Sequence, residues 1–219
     1  MIKCLAILNT SPDSFSDGGN YDTLDKALEH AKKLIAEGAD ILDIGGESTR
    51  PGAPLVWEGD EIKRIEPAIR QLAASGTAVS VDTRKAAVMQ AALSAGAAMI
   101  NDISALLYDD RSIEIARVAA CPVVLMHAPS QSSDPHKGGE YGDVLTEVYD
   151  WLEARVDAVE AAGIGRDSIL IDPGIGFGKS LADNLVLINN LALFHGIGCP
   201  ILFGASRKRM IGALSNEAA

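Results

Sequence analysis

The sequence predicts an α/β protein built as a (β/α)8 barrel, and three observations carry that prediction. Short apolar runs alternate with amphipathic, alanine-rich stretches; the short runs are apolar on both faces; and nearly every one of them ends in a polar residue. Strands that are apolar on both faces need helices on both sides, which implies a parallel sheet. A doubly wound open sheet gathers its site at the point where strand order reverses, whereas a barrel gathers it from the C-terminal ends of many strands. Here the runs close on Asn9, on Asp43 with Gly45 and Gly46, on Asp82, on Asn101 with Asp102, on His127, on Asp172 and on Ser206, so the barrel is preferred.

The candidate strands are residues 3–9, 41–45, 78–82, 99–103, 122–127, 169–172 and 201–204, and the candidate helices are 23–37, 58–73, 84–94, 111–119, 144–162 and 181–194. Gly38, Gly96 and Gly163 stand where left-handed helix caps are expected, and Thr83 is a candidate N-cap for the helix that follows it. Another helix is expected from Lys208. Seven strands are counted in 219 residues, whereas a full barrel takes about 250. The expectation is therefore one barrel domain over residues 1–219, C-terminally incomplete, with the last helix-strand-helix portion missing. Strands one and seven of such a chain would keep unpaired edges.

The net charge of −11 gives no global attraction for nucleic acid or an anionic membrane, so anionic substrates must be held by local cations. No apolar run reaches the ~18 residues of a membrane span, and no signal-peptide pattern opens the chain. Cys4, Cys121 and Cys199 are odd in number and lack a C-x-x-C spacing, which predicts reduced thiols in a cytoplasmic protein.

Several segments carry chemistry. ILIDPGIGFGKS, residues 169–180, resembles two phosphate-binding motifs and matches neither. A P-loop needs Gly where Pro173 stands, and a dinucleotide fingerprint needs a third Gly where Lys179 stands. What remains is a Gly-rich turn after a strand, open to close approach by a flat ligand. NTSPDSFSDGG, residues 9–19, is long and polar for a strand-to-helix loop and carries Phe15, as a substrate loop would. GGESTRPG, residues 45–52, offers Arg50 to an anion. Asp82, Asn101 and Asp172 at strand ends suit a heterocycle with several N–H groups. Arg207, Lys208 and Arg209 cluster at a strand end, where like charges near a helix N-terminus favour an anion-binding role. His127 and His136 have no partner at metal-ligand spacing, so zinc is not expected.

In chain order the segments ILNTSPDSFSDGG, ADILDIGGESTRPGA, SVDTRK, INDIS, VVLMH, ILIDPGIGFGK and GASRK resemble the dihydropteroate synthase family of pterin-binding TIM barrels over the whole chain. The resemblance implies a transferase of folate biosynthesis and a sulfonamide target. It would condense 6-hydroxymethyl-dihydropterin pyrophosphate with para-aminobenzoate and release pyrophosphate. It further implies that Asp82, Asn101, Asp172 and Lys208 contact the pterin, with Met126, Gly204 and the Gly176–Phe177 turn shaping its surroundings. Asn9 would meet Mg2+ and pyrophosphate, and Phe15, Thr49, Arg50, Pro51, Phe177 and Ser206 would receive the aryl amine. Asp82, Lys208 and Arg50 would carry the chemistry. A full-length homodimer is implied too. Two departures stand out: the loop HAPSQSSDPHKGGEYGD lacks the family's Gly-x-Pro and Met-Gln elements, and the final Arg-x-His-Asp strand is absent. A pterin-dependent methyltransferase and a non-catalytic pterin-binding fragment are the alternatives.

Overall fold

The computed structural model describes residues 2–10, 20–48, 52–129, 136–206 and 208–215, with backbone alone at 20–23, 209, 213 and 215. In order the elements are β1 (Leu5–Asn9), α1 (Asn20–Ala36), β2 (Ile41–Gly45), α2 (Glu58–Ala74), β3 (Val79–Asp82), α3 (Ala86–Ala95), β4 (Met99–Asp102), α4 (Ser112–Ala119), β5 (Val123–Met126), α5 (Val144–Ala161), β6 (Ile169–Asp172), α6 (Leu181–Asn189) and α7 (Arg209–Ser215). The chain forms two compact units, one of Met1–Asn101 with Asp109–Cys121 and one of Asp102–Tyr108 with Pro122–Ala219.

In the first unit β1 to β4 pair in parallel in chain order. The register aligns Leu8, Ile44, Val81 and Ile100 in one row, all fully buried. Successive residues of a strand point to opposite faces, so the next row faces the other way, and it is Asn9, Gly45, Asp82 and Asn101. Helix α2 covers the apolar face with Ile65, Ala68, Ile69 and Leu72, the three-and-four spacing of one helix side. Gly38, Gly96 and Gly163 all have positive φ, as their cap positions require.

Thr83 does not cap α3. The N-cap is Lys85, and Asp109 accepts the N–H of Ala86 at 3.1 Å. The Thr83 hydroxyl donates to the buried carboxylate of Glu61 at 2.7 Å and accepts the N–H of Lys85 at 3.3 Å, so it meets the chain at the cap residue itself and not at a free N–H of the first helical turn.

The second unit holds β5 and β6, paired in parallel with Met126 opposite Asp172. The seventh strand expected at 201–204 is a single bridge between Ile171 and Ile201. Ile171 donates its N–H to Pro200 O at 3.0 Å and Leu202 donates to Ile171 O at 2.9 Å. In a parallel ladder the next bonds outward need the N–H of residue 173 on one side and of residue 200 on the other. Both are proline, so the ladder stops in both directions. Helix α6 also ends earlier than expected: Asn190 donates its side-chain N–H to Val186 O at 2.8 Å, and a 3-10 segment, Leu191–Ile197, follows.

Candidate active site

Asn9, Gly45, Asp82, Asn101, Asp102, His127 and Asp172 lie at or next to the C-terminal ends of their strands, whereas Asp43 is the middle residue of β2 and Ser206, expected to end a seventh strand, follows only the single bridge at Ile201. In the first unit Asn9 ends β1, exposed, and Asp82 ends β3, half-buried. Between them in the row stands Gly45, and its lack of a side chain leaves the row open. A Cβ built there would come 3.4 Å from Asp82 Oδ2 and 3.6 Å from Asn9 Oδ1. Asn101 donates Nδ2–H to Asp43 Oδ2 at 2.8 Å, two residues down β2 on the same face as Gly45. Burial pushes the Asp43 carboxyl above its ordinary value, against the pull of the hydrogen bonds it accepts. With its amide N–H on Asp43, Asn101 keeps its Oδ1 as an acceptor for a ligand. Asp43 was read only as a polar strand residue; its partnership with Asn101 became visible through the register.

In the second unit Asp172 is the buried counterpart. Its Oδ1 accepts the Gly174 N–H at 2.7 Å, leaving Oδ2 without a donor among the described residues. Burial raises its pKa to about 6, although the Gly174 N–H, Lys208 and Lys179 all favour the charged form. Lys179, which sequence reading treated only as a misfit in a nucleotide motif, is pinned beneath the Gly-rich turn. Its Nζ donates to Gly174 O at 2.9 Å and to His127 O and Phe177 O at 3.3 Å each. Burial lowers its pKa to about 7, with Asp172 pulling upward and Lys208 pushing downward.

The turn itself needs its glycines. At Gly174, φ +69°, a Cβ would stand 1.9 Å from the His127 carbonyl oxygen. At Gly176, φ +81°, it would stand 2.9 Å from Lys208 Cδ, so the missing side chain makes room for the lysine stem. Lys208 Nζ then lies 4.2 Å from the centre of the Phe177 ring, a cation–π contact. The His136 ring stacks on Phe177 at 4.6 Å, with 14° between planes. Phe177, Met126, Ile103 and Ala128 form one buried apolar cluster.

Other strand-end residues turn inward. Asp102 accepts from Ser104 N at 2.7 Å, Ser104 Oγ at 2.6 Å and Leu106 N at 3.0 Å, and so is spent on its own loop. That loop places Ala105 and Leu106 at positive φ, and Arg155 donates to both of their carbonyls. His127 is buried edge-on to Trp151 at 5.0 Å, and burial with the Lys179 charge holds its pKa at about 3. Gly204 is half-buried, with no heavy atom within 4 Å of a Cβ built on it, and Ser206 is exposed. Phe15, Thr49, Arg50 and Pro51 lie outside the described residues, as does Arg207. Among the described residues no group of three or more His, Cys, Asp or Glu could hold a metal ion, and no helix is long and apolar enough to cross a membrane.

The family described as "pterin binding enzyme" matches residues 5–219. The chain belongs to the dihydropteroate synthases within that family. The dihydropteroate synthase of Bacillus subtilis is 46% identical over 209 residues, 95% of this chain and 71% of that protein. Among solved structures, dihydropteroate synthase of Xanthomonas albilineans with 4-aminobenzoic acid superposes with a TM-score of 0.92 at 46% identity, over 99% of this chain and 77% of the other. The Yersinia pestis enzyme, in a sulfonamide drug complex, gives 0.88 at 42%, over 98% and 78%. The fold class is accordingly the TIM barrel, and the chain is a transferase of folate biosynthesis.

Proposed function

We propose that the chain joins 6-hydroxymethyl-dihydropterin pyrophosphate to para-aminobenzoate, giving dihydropteroate and pyrophosphate. The observation that carries this reading is Asp172, a buried carboxylate with one oxygen held by the Gly174 N–H and the other without a donor among the described residues. A pterin ring edge presents adjacent N–H groups, which suit such an acceptor. Asp172 and Lys208 are the pterin contacts of the second unit, and Asp82 and the Asn101 Oδ1 those of the first. Met126 and Phe177, in their apolar cluster, supply a face for a flat ring, and Gly204 adds no side chain beside it. Phe15, Thr49, Arg50, Pro51 and Ser206 receive the aryl amine together with Phe177; the 4-aminobenzoic acid bound to the Xanthomonas enzyme supports an aryl-amine substrate.

The chemistry needs no covalent enzyme intermediate. The C–O bond to pyrophosphate breaks, its electron pair leaves with the pyrophosphate oxygen, and the pterin methylene gains positive charge. The Asp82 carboxylate stabilises that charge. The amine lone pair then forms the new C–N bond, and the nitrogen gives up a proton. Lys208 and Arg50 hold anionic groups of the substrates.

Magnesium fits this arrangement through oxygen donors. Asn9 Oδ1 is exposed at the strand end, beside the side-chain-free Gly45 and close to Asp82. Mg2+ commonly takes one or two protein oxygens and completes its shell with water and phosphate. Asn9 would hold it there, and the ion would supply charge neutralisation for the leaving pyrophosphate. The three unpaired thiols support a reducing, cytoplasmic setting, and the unbroken family match over residues 5–219 supports a single pterin-binding domain.

The test is calorimetry with a pterin. Asp172→Asn replaces an acceptor by a group that must face a donor with a donor. We expect affinity to fall about ten- to a hundredfold, the value of a charged hydrogen bond of ~1.5–3 kcal/mol. Unchanged affinity would remove Asp172 from the pterin contacts.

A further inference from the structure

The buried charges of the first unit pair with one another: Lys85 donates to Glu47 at 2.5 Å and to Glu61 at 2.6 Å. Lys179, in the second unit, is bonded differently. Among the described residues its Nζ meets no carboxylate and donates to three backbone carbonyls, those of His127, Gly174 and Phe177. An ammonium has three donors and no acceptor, so three carbonyls match it. Withdrawing a cation from water costs more than withdrawing a neutral donor, and the proposed chemistry gives this cation no task.

The carbonyls that Lys179 gathers belong to the residues around Asp172. His127 donates its N–H to Asp172 O at 2.9 Å, and Gly174 donates its N–H to Asp172 Oδ1 at 2.7 Å. Lys179 therefore holds, through their carbonyls, the two residues that hold Asp172 through their N–H groups. The packing is close: a Cβ on Gly174 would stand 1.9 Å from the His127 oxygen and 3.1 Å from Lys179 Nζ. Asn184 braces the rest of the turn without charge. Its Oδ1 accepts the Gly176 N–H at 2.7 Å, and its Nδ2 donates to Ser180 O at 2.7 Å and Lys179 O at 3.2 Å.

We propose that Lys179 is a positioning residue for pterin binding, which sets the orientation of Asp172 by holding His127 and Gly174 and places a cation beside its carboxylate. The inference rests on the reading of Asp172 as a pterin contact; Lys179 itself touches no substrate. Asp172 titrates near 6 and Lys179 near 7, so the ammonium is charged while the carboxyl titrates. Lys208 favours the ionised Asp172 and opposes the charged Lys179, whereas Asp183 of α6 favours the charged Lys179. His127, held at about 3, stays neutral from pH 5 to 8. Removing the Lys179 charge takes one pull off Asp172, so the carboxyl must titrate at higher pH and pterin affinity must begin to fall at higher pH.

The experiment is calorimetry with 6-hydroxymethyl-dihydropterin from pH 5 to 8 on the wild type and on variants at 179, 184 and 172. In Lys179→Met we expect affinity at pH 7 to fall about tenfold, and the midpoint of the acid-side loss to rise by about one pH unit. Lys179→Gln keeps an N–H donor, should Lys179→Met not fold, and gives the same upward move with a smaller loss. Lys179→Arg keeps the charge and holds the midpoint at its wild-type place. Asn184→Ala loosens the turn with the charge intact, so it lowers affinity and leaves the midpoint unmoved. If Asp172→Asn binds as tightly as the wild type, the reading of Asp172 fails. If Asp172→Asn loses affinity but the foldable uncharged variants at 179 keep the wild-type midpoint, the positioning role is overturned, because a merely structural brace behaves as Asn184 does. A midpoint that moves as far in Asn184→Ala as in Lys179→Met would overturn it too.

Discussion

Asp172 illustrates how a single residue links burial to recognition. Its carboxyl titrates near 6 because burial outweighs the favourable Gly174 N–H and the two nearby lysines. Protonation at Oδ2 would turn the acceptor left beside the Gly174 N–H into a donor facing a pterin N–H, so the sign is definite: affinity should weaken as pH falls through that value. The expected slope is about tenfold per pH unit below ~6, the signature of one required deprotonation. Calorimetry from pH 5 to 8 would show it, and Asp172→Asn should flatten the profile; a flat wild-type profile would contradict the assignment. Asp82, Asn101 and Asp172 were legible as residues because polar groups at the ends of apolar runs are conspicuous. Lys179 was not, since its burial depends on carbonyls of His127, Gly174 and Phe177, which one sequence does not place together. Glu47 and Lys85 were hidden for the same reason, being separated by 38 residues.

At the scale of elements, the turn between β6 and α6 rests on two glycines that fail differently when substituted. In Gly174→Ala the new methyl meets a backbone carbonyl that has no room to yield. The expected cost is at least about 3 kcal/mol, in the range reserved for strain at special backbone positions. In Gly176→Ala the obstacle is the flexible stem of Lys208, so the cost is about 1–2 kcal/mol of left-handed strain and the lysine moves off Phe177. Thermal melts should therefore rank Gly174→Ala well below Gly176→Ala, while Gly176→Ala loses pterin affinity in a folded protein. Equal melting temperatures would show that the turn relaxes freely. Strand and helix positions were largely readable from apolar runs, and β2 and β6 fall where expected, at Ile41–Gly45 and Ile169–Asp172. The seventh strand was not. Pro173 and Pro200 were in view, but their effect depends on which N–H the register calls for. Helix α6 was overextended because apolar periodicity continues past Asn190, whose side chain ends the helix.

For the whole molecule, the net charge of −11 contrasts with the chemistry of two anionic substrates. The contrast resolves locally. Cations are held at defined points, Lys208 over Phe177 and Lys179 under the glycine turn, while Arg84 and Lys85 are neutralised by Glu47 and Glu61. Fold class and family were legible from the order of seven short motifs, each closing an apolar run. The ion pairs of Lys85 with Glu47 and Glu61 and the orientation of Asn101 were not legible in this way, because they are properties of register and packing. The most direct test of the central claim is to incubate the chain with 6-hydroxymethyl-dihydropterin pyrophosphate, para-aminobenzoate and Mg2+ and to measure dihydropteroate and pyrophosphate together. The account predicts equal amounts of the two products, with Asp82→Asn slower by about 10²–10³-fold, as for loss of one group stabilising transition-state charge. Pyrophosphate without dihydropteroate, or equal rates in wild type and Asp82→Asn, would contradict it.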